Sequence, residues 1–339
     1  RYWIGSGGDW HDTANWSETS GGSGGAAVPG SGDSAIFDGH SGDCSMSSSI
    51  KVGGLHLATN FTATLTQNSA ELEVLSSGYY QAGGTFLGGT KEIKITTTDR
   101  PYLLAGGHFT STSSDLIIIR KNNTVENVID GAVAVGPGAD GGTTKLLFTN
   151  SNDQLYHSTG GRLPCLVVDK PSGTLGPANN ATNLAAYAIE LNSGTFIAPE
   201  NIFDITYIPN EAVTFFKVNG GNFVHNNGTV KFARNHASNN GSRQQYVSIK
   251  HPIEFATLML TGGHSGQSWQ YRYEFEIEEP GSITVSQHLI YAADPTNYWI
   301  RTNLGELDVT GDVTIGQGTS GGTTKLRLSG TQDQTIHHN

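Results

Sequence analysis

The amino-acid sequence predicts an all-β fold, a right-handed parallel β-helix (β-solenoid), and three observations carry this prediction. Glycine contributes 45 of the 339 residues and charged residues only 14%, a composition that excludes a helical bundle or coiled coil. Short segments of alternating apolar residues recur about every 20 residues, as a stack of β-coils requires. In addition, residues 131–157 and 311–337 are two copies of one unit.

The alternating segments are the predicted strands. Each has apolar side chains two positions apart among Thr, Ile and Val, which predicts a strand with one buried face. The clearest segments contain Leu72 and Val74, Ile93 and Ile95, and Leu116 and Ile118. Tandem β-sandwiches are the alternative, because regular short strands suit them as well. The right-handed coil follows from the general rule for parallel connections.

The duplicated unit sets the predicted domain organisation. Both copies contain the run Gly-Gly-Thr-Thr-Lys-Leu and a later Asp-Gln pair, and about half of their aligned positions are identical. We therefore expect an N-terminal Trp-rich cap over residues 1–45. One continuous β-solenoid is predicted over residues 46–339, with the duplicated unit inside it.

The N-terminal segment has a distinctive aromatic pattern. Three of the five tryptophans lie in the first 16 residues, where they would cover the apolar end of a solenoid. The spacing resembles the opening of repeat modules in bacterial surface proteins, namely Bacteroidetes-type secreted proteins and autotransporter-like adhesins. The residues that match this opening are Trp3, Gly5, Trp10, Asn15, Trp16, Val28, Pro29, Asp33 and Phe37.

The resemblance implies an extracellular, β-helical surface or filament protein without catalytic residues. On this basis we expect a structural role, as a surface stalk or filament subunit that supports adhesion or an extracellular matrix. A glycan-binding adhesin domain is the alternative, and a polysaccharide lyase or hydrolase is a less favoured one. The enzyme alternative would need paired carboxylates on adjacent coils, for example from Asp115, Asp130 or Asp153.

Charge and hydropathy narrow the set of partners. The net charge is −11 and no basic cluster occurs, which argues against nucleic acid and against polybasic docking to membranes. No stretch approaches the ~18 to 20 consecutive apolar residues of a membrane span. Surface glycans and further copies of the chain therefore remain as the expected partners.

The second repeat copy stops at its last strand, which leaves an unpaired strand row that invites pairing. We expect either that the chain continues beyond Asn339 or that this end docks head-to-tail on the first coil of another copy. The residues predicted at that interface are Trp3, Trp10, Trp16, Ile336 and His337.

Two further sites are considered near the start of the chain. Asp33, Asp38 and Asp43 lie in a Gly-rich segment, and oxygen ligands on such a backbone suit Ca²⁺. Turn formation, in which Asp bonds its own backbone, is the favoured interpretation, and no other cofactor is expected. Cys44 and Cys165 are the two cysteines. The sequence leaves open whether they form one long-range disulfide, because it does not fix the distance between them.

Aromatic residues in the C-terminal third suggest a glycan-binding surface, because sugar rings stack on exposed aromatic faces. Filling of the interior is the favoured interpretation of the same residues. The residues predicted for glycan binding are Trp269, Tyr271, Tyr298 and Trp299.

Overall fold

A computed structural model of the chain describes residues 1–96, 102–110, 116–120, 132–142, 144–178, 181–207, 213–235, 243–263, 271–278, 282–293, 298–303, 305–317 and 319–338. These residues form two compact units, which we name unit 1 (Arg1–Ala181) and unit 2 (Thr182–Asn339). The division falls inside the predicted solenoid segment 46–339, and the predicted boundary at residue 45 lies within unit 1. The predicted domain boundaries stay a prediction.

Unit 1 consists of short strands and a single-turn 3-10 helix, Thr13–Asn15. Its strands are β1 Tyr2–Trp3, β2 Trp16–Ser17, β3 Ser34–Phe37, β4 Cys44–Ser45, β5 Ile50–Leu57, β6 Thr64–Thr66, β7 Leu72–Gln81, β8 Thr85–Leu87, β9 Ile93–Thr96, β10 Tyr102–Leu104, β11 His108–Thr110, β12 Leu116–Arg120, β13 Ala132–Val135, β14 Lys145–Phe148, β15 Gln154–Ser158 and β16 Cys165–Pro177.

These strands form three parallel stacks. The first stack joins β3, the ends of β5 and β7, then β10, β13, β15 and the end of β16. A second stack joins β4, β6, β8 and β11. The third joins the starts of β5 and β7, then β9, β12, β14 and the start of β16. Among the described pairings of unit 1, β1 with β2 is the antiparallel one.

The stacks of unit 1 share one interior. Tyr79 of the first stack lies parallel to Tyr102, one strand further along, at 5.3 Å between ring centroids. Phe86 of the second stack lies on Phe109 in the same way, at 4.8 Å. The Tyr79 and Phe86 rings meet edge to face at 5.9 Å, so side chains from two stacks pack against each other. Burying these rings contributes to the apolar stabilisation of the unit.

Unit 2 is built from longer strands. They are β17 Asn183–Ala186, β18 Ile189–Ile197, β19 Ile202–Tyr207, β20 Val213–Val218, β21 Asn222–Val224, β22 Thr229–Asn235, β23 Arg243–Ile249, β24 Ile253–Gly263, β25 Tyr271–Glu278, β26 Ile283–Ala293, β27 Tyr298–Asn303, β28 Glu306–Val309, β29 Asp312–Ile315, β30 Thr319–Gly322, β31 Lys325–Leu328 and β32 Ile336–His338.

Three parallel stacks recur in unit 2. One joins β17, β19, β22, the ends of β24 and β26, then β29 and β32. Another joins the start of β18, then β20, β23, β25, β27 and β30. The last contains the end of β18 paired with β21, and separately the starts of β24 and β26, then β28 and β31.

The two repeat copies have the same strand register. In the first copy, β13 pairs with β15 so that Val133 lies opposite Tyr156. In the second copy, β29 pairs with β32 so that Val313 lies opposite Ile336. These four positions are equivalent in the duplicated sequence, so the duplication extends to the structure.

The prediction of an all-β fold with repeated parallel strands is confirmed, and the described residues contain no α-helix. Parallel pairing argues against the sandwich alternative, because β-sandwiches are built from antiparallel sheets. Among the described residues, no helix is long and apolar enough to cross a membrane.

Candidate functional site

The N-terminal end of unit 1 is closed by an aromatic cluster. Trp3, Trp10, Trp16 and Phe37 are fully buried, and the centroid of the Trp16 ring lies 5.3 Å from that of Trp3 and 4.8 Å from that of Trp10. The Trp16 indole N–H donates a 2.6 Å hydrogen bond to the Trp10 carbonyl. This geometry agrees with the prediction that clustered tryptophans cover the end of the strand stack.

The outer strand of this end is itself covered. The Ala26 N–H donates to the Trp16 carbonyl at 3.0 Å, and the Gly25 N–H donates to the Thr13 carbonyl at 3.0 Å. The loop that follows β2 therefore occupies part of the edge where another strand would pair. The prediction that Trp3, Trp10 and Trp16 form an assembly interface needs correction at the side-chain level. Their rings lie in the interior, because each fills space beneath this cover.

The last strands of unit 2 differ from the N-terminal end of unit 1, because their apolar side chains are not covered. Apolar side chains on β31 and β32 stay open to solvent, with Leu326 39%, Leu328 43% and Ile336 54% exposed. Each lies in strand register with a residue that is at most 1% exposed. The register pairs are Leu326 with Leu307, Leu328 with Val309, and Ile336 with Val313. We call β31 and β32 the open edge.

The open edge is held in place by hydrogen bonds. Gln334 donates from its side-chain nitrogen to the carbonyls of Val309 at 2.9 Å and Gly311 at 2.7 Å. Its side-chain oxygen accepts the Gly330 N–H at 3.0 Å. Ile336 and His337 of the predicted interface therefore lie on a defined surface, and both side chains are exposed.

The equivalent glutamine of the first copy has a different environment. Gln154 is buried, and its side-chain oxygen accepts a 2.7 Å hydrogen bond from the ammonium of Lys170 on β16. Burial lowers the pKa of Lys170 to about 8, against an opposing effect of the Asp153 carboxylate. Lys170 lies on β16, the strand that covers the first copy, so this lowered pKa belongs to the covering layer itself.

The three predicted Ca²⁺ ligands accept hydrogen bonds from groups of the protein, some local and some from segments about 20 residues away. Asp33 accepts the Gly30 N–H at 3.0 Å, and Asp43 accepts the Thr64 N–H at 2.9 Å. For Asp38, burial would raise the pKa, but hydrogen bonds from Ser20 and from the backbone of His40 outweigh it and lower the pKa. In the part of the chain that the structure describes, no three His, Cys, Asp or Glu side chains form a cluster for a metal ion.

The two cysteines are free thiols, which corrects the open disulfide alternative. Cys44 lies on β4, the first strand of the second stack of unit 1, whereas Cys165 lies on β16 in the third stack. Along the stacks, the two residues are about five strand spacings apart. At ~4.8 Å per step the separation is on the order of 24 Å, while a disulfide requires Cα atoms within ~7 Å. Burial raises the pKa of both thiols, that of Cys165 to about 12.

Of the remaining predicted residues, the structure brings Tyr271 and Tyr298 together on neighbouring strands, and several others lie outside the described residues. Trp269 lies outside the described residues, as do Asp115 and Asp130 of the enzyme alternative. Tyr271 lies opposite Tyr298 in the ladder between β25 and β27, and Trp299 follows on β27. Asp153 accepts hydrogen bonds from the backbone N–H and the hydroxyl of Thr174 at 2.8 and 3.0 Å, which join the start of β15 to its neighbour β16.

The structure contains one further site, which the sequence analysis did not identify. A groove of about 360 Å³ opens between β21 and the start of β24, lined by Asn222, Phe223, His225, Glu254 and their neighbours. These two strands belong to different sheets, so the ladder of this stack is interrupted there. Pro252, immediately before β24, carries no N–H and is the one local sequence signal for such a break.

Comparison with protein-family models, with curated proteins and with solved structures finds no match for this chain.

Proposed function

We propose that this chain is an extracellular structural protein, a β-helical segment of a surface stalk or filament. The order in which the chain visits its stacks supports a coil. In unit 1, β8 and β9 lead from the first stack through the second to the third, and β10, β11 and β12 repeat that path. A right-handed path is the general rule for such parallel connections.

A coil of this kind suits a mechanical role. Adjacent strands of a stack lie ~4.8 Å apart and are joined by backbone hydrogen bonds. Each turn of the coil buries its apolar side chains only by packing against the neighbouring turns. Turns rich in Gly, Thr and Asn allow the chain to change direction at every corner. The N-terminal pattern shared with bacterial surface proteins supports the extracellular location.

The open edge is the observation that carries the proposal. Its apolar residues occupy positions that are buried on the preceding rung, so a further β-layer would complete their burial. In the first repeat copy such a layer is present, because the start of β16 pairs with β14 and its end pairs with β15. We infer that the open edge receives a strand layer of the same kind. A second copy of the chain and a continuation of the chain beyond Asn339 are the two sources of such a layer, and assembly of copies is the form tested below.

Sedimentation velocity across a concentration series tests this assembly. We expect association of the wild-type chain and a monomer for the double variant Leu326→Lys/Ile336→Lys, because two buried lysines would oppose pairing. Ile202→Lys is the matched control, since Ile202 is also 41% exposed but lies away from the open edge. A wild-type chain that stays monomeric, or association that survives the double variant, would contradict the proposal.

Negative-stain electron microscopy of native material distinguishes the two forms of assembly. Filaments with an axial repeat close to one chain length would support head-to-tail stacking, which requires the loop over Trp16 to open. Particles of two chains would support pairing of two open edges and exclude a filament formed by this contact.

A further inference from the structure

We propose that the groove between β21 and β24 binds a neutral saccharide ring, a site that goes beyond the structural role proposed above. The first argument is the way in which the groove arises. The end of β18 pairs with β21, and the start of β24 pairs with β26, but no ladder joins β21 to β24 in the described strands. The resulting opening of about 360 Å³ falls within the size range of small-molecule sites.

One residue that lines the groove is aromatic, namely Phe223. Phe223 packs against Phe196 and Phe255 at 5.7 and 5.4 Å between centroids. Both neighbours are fully buried, whereas Phe223 is partly exposed, because the missing ladder leaves the wall open beside it. A partly exposed aromatic ring among polar lining residues can pack against the C–H face of a sugar.

Hydrogen-bonding groups also line the groove, and a backbone contact orients one of them, His225. His225 accepts the Asn227 N–H at its Nδ1 atom, at 3.0 Å, so the neutral ring carries its proton on Nε2. That Nε2 atom lies 3.6 Å from a carboxylate oxygen of Glu254, too far for a good hydrogen bond. One ligand hydroxyl that accepts from His225 and donates to Glu254 would satisfy both groups.

Charge excludes the other common ligand classes. Glu254 is the carboxylate among the lining residues, and no Lys or Arg lines the groove, which disfavours phosphate and other anions. A single carboxylate does not make a cation site either, because hard cations take six or more oxygen ligands. A ligand with one apolar face and several hydroxyls remains, and Asn222 on the rim offers both a donor and an acceptor.

Saturation-transfer NMR with the methyl glycosides of glucose, galactose, mannose and N-acetylglucosamine tests the site. We expect transfer to at least one glycoside in the millimolar range. The double variant Asn222→Ala/Glu254→Gln should weaken binding about tenfold or more, a change of 1.4 kcal/mol or more. Both side chains are exposed, so the variant retains the packing of the interior.

Two controls make the test specific. Glu200→Gln removes another exposed carboxylate of unit 2 outside the groove and should leave binding unchanged. Inorganic phosphate should not compete with the glycoside. The proposal is overturned if none of the four glycosides binds, if the double variant binds as well as the wild type, or if phosphate displaces the sugar.

Discussion

The two copies of the repeat have nearly the same backbone register and opposite surroundings. Three inward side chains of residues 131–157 are fully buried, whereas their equivalents in residues 311–337 are 39% to 54% exposed, and Val133 and Val313 are buried in both copies. The equivalent positions are Leu146 and Leu326, Phe148 and Leu328, and Tyr156 and Ile336. What differs is the layer that follows, since β16 covers the first copy and the open edge ends the described strands of unit 2.

This comparison separates two effects of sequence. The repeat pattern determines which side chains point to one side of the strand, because successive residues alternate. It does not determine whether that side is covered, because cover comes from another segment of chain. A repeat of this kind is therefore complete only together with its neighbour.

The largest expected effect is a difference in stability between matched alanine variants. Leu146→Ala should lower the free energy of unfolding by about 2–5 kcal/mol, because it leaves a cavity in a closed interior. Leu326→Ala should cost clearly less than Leu146→Ala, because Leu326 is already 39% exposed and its truncation leaves no closed cavity. Urea unfolding of monomeric protein followed by circular dichroism measures both. Equal costs would show that the open edge is covered in solution.

Lys170 should give the covered copy a pH dependence of its own. Its folded pKa of about 8 lies below the ordinary value of 10.5, so between these values the unfolded chain binds a proton that the folded chain does not. The contribution of Lys170 to stability should therefore rise as the pH increases from about 8 to 10.5 and stay constant below that window, whereas the raised pKa of the Cys44 and Cys165 thiols acts in the opposite direction.

The variant Lys170→Met should abolish this rise, and the exposed Lys325→Met on the open edge should preserve it. Urea unfolding at a series of pH values gives the slopes. A rise that persists unchanged in Lys170→Met would assign it to another group.

The smallest expected effect is that of a surface ion pair on the open edge. Lys325 lies 2.8 Å from Glu306, with side chains 72% and 35% exposed. Water screens such pairs, so a double-mutant cycle with Lys325→Ala and Glu306→Ala should give a coupling below about 1 kcal/mol. The coupling should disappear in 1 M salt. A coupling of several kcal/mol would indicate that this surface is buried by association.

Much of the fold could be predicted because its signal is local. Leu72, Val74, Ile93 and Ile95 are buried on paired strands, as the alternating pattern predicts. The covering role of the N-terminal tryptophans was also predictable, since large apolar side chains at one end of a stack need burial. The disulfide and the Ca²⁺ site were not decidable, because both depend on distances between segments that no local pattern encodes.

The groove was missed for the same reason. The sequence pattern predicts Phe223 as an inward-facing residue of an ordinary strand. Its pairing opposite Phe196 in the ladder between β18 and β21 shows no irregularity. Phe223 is partly exposed because no ladder forms between β21 and β24. These two strands are separated in sequence by two other strands, β22 and β23. Pro252 indicates an interruption of strand pairing before β24, but it does not predict a cavity there.

The sequence by itself determined the all-β class, the repeat and the inward face of each strand, because alternation and turn residues act over a few neighbouring positions. The tertiary structure decided which of those faces are covered, where the ladder is interrupted, and that the two cysteines lie apart. Those properties depend on packing between segments that are distant along the chain. The free energy of such packing is not encoded in any one of the segments.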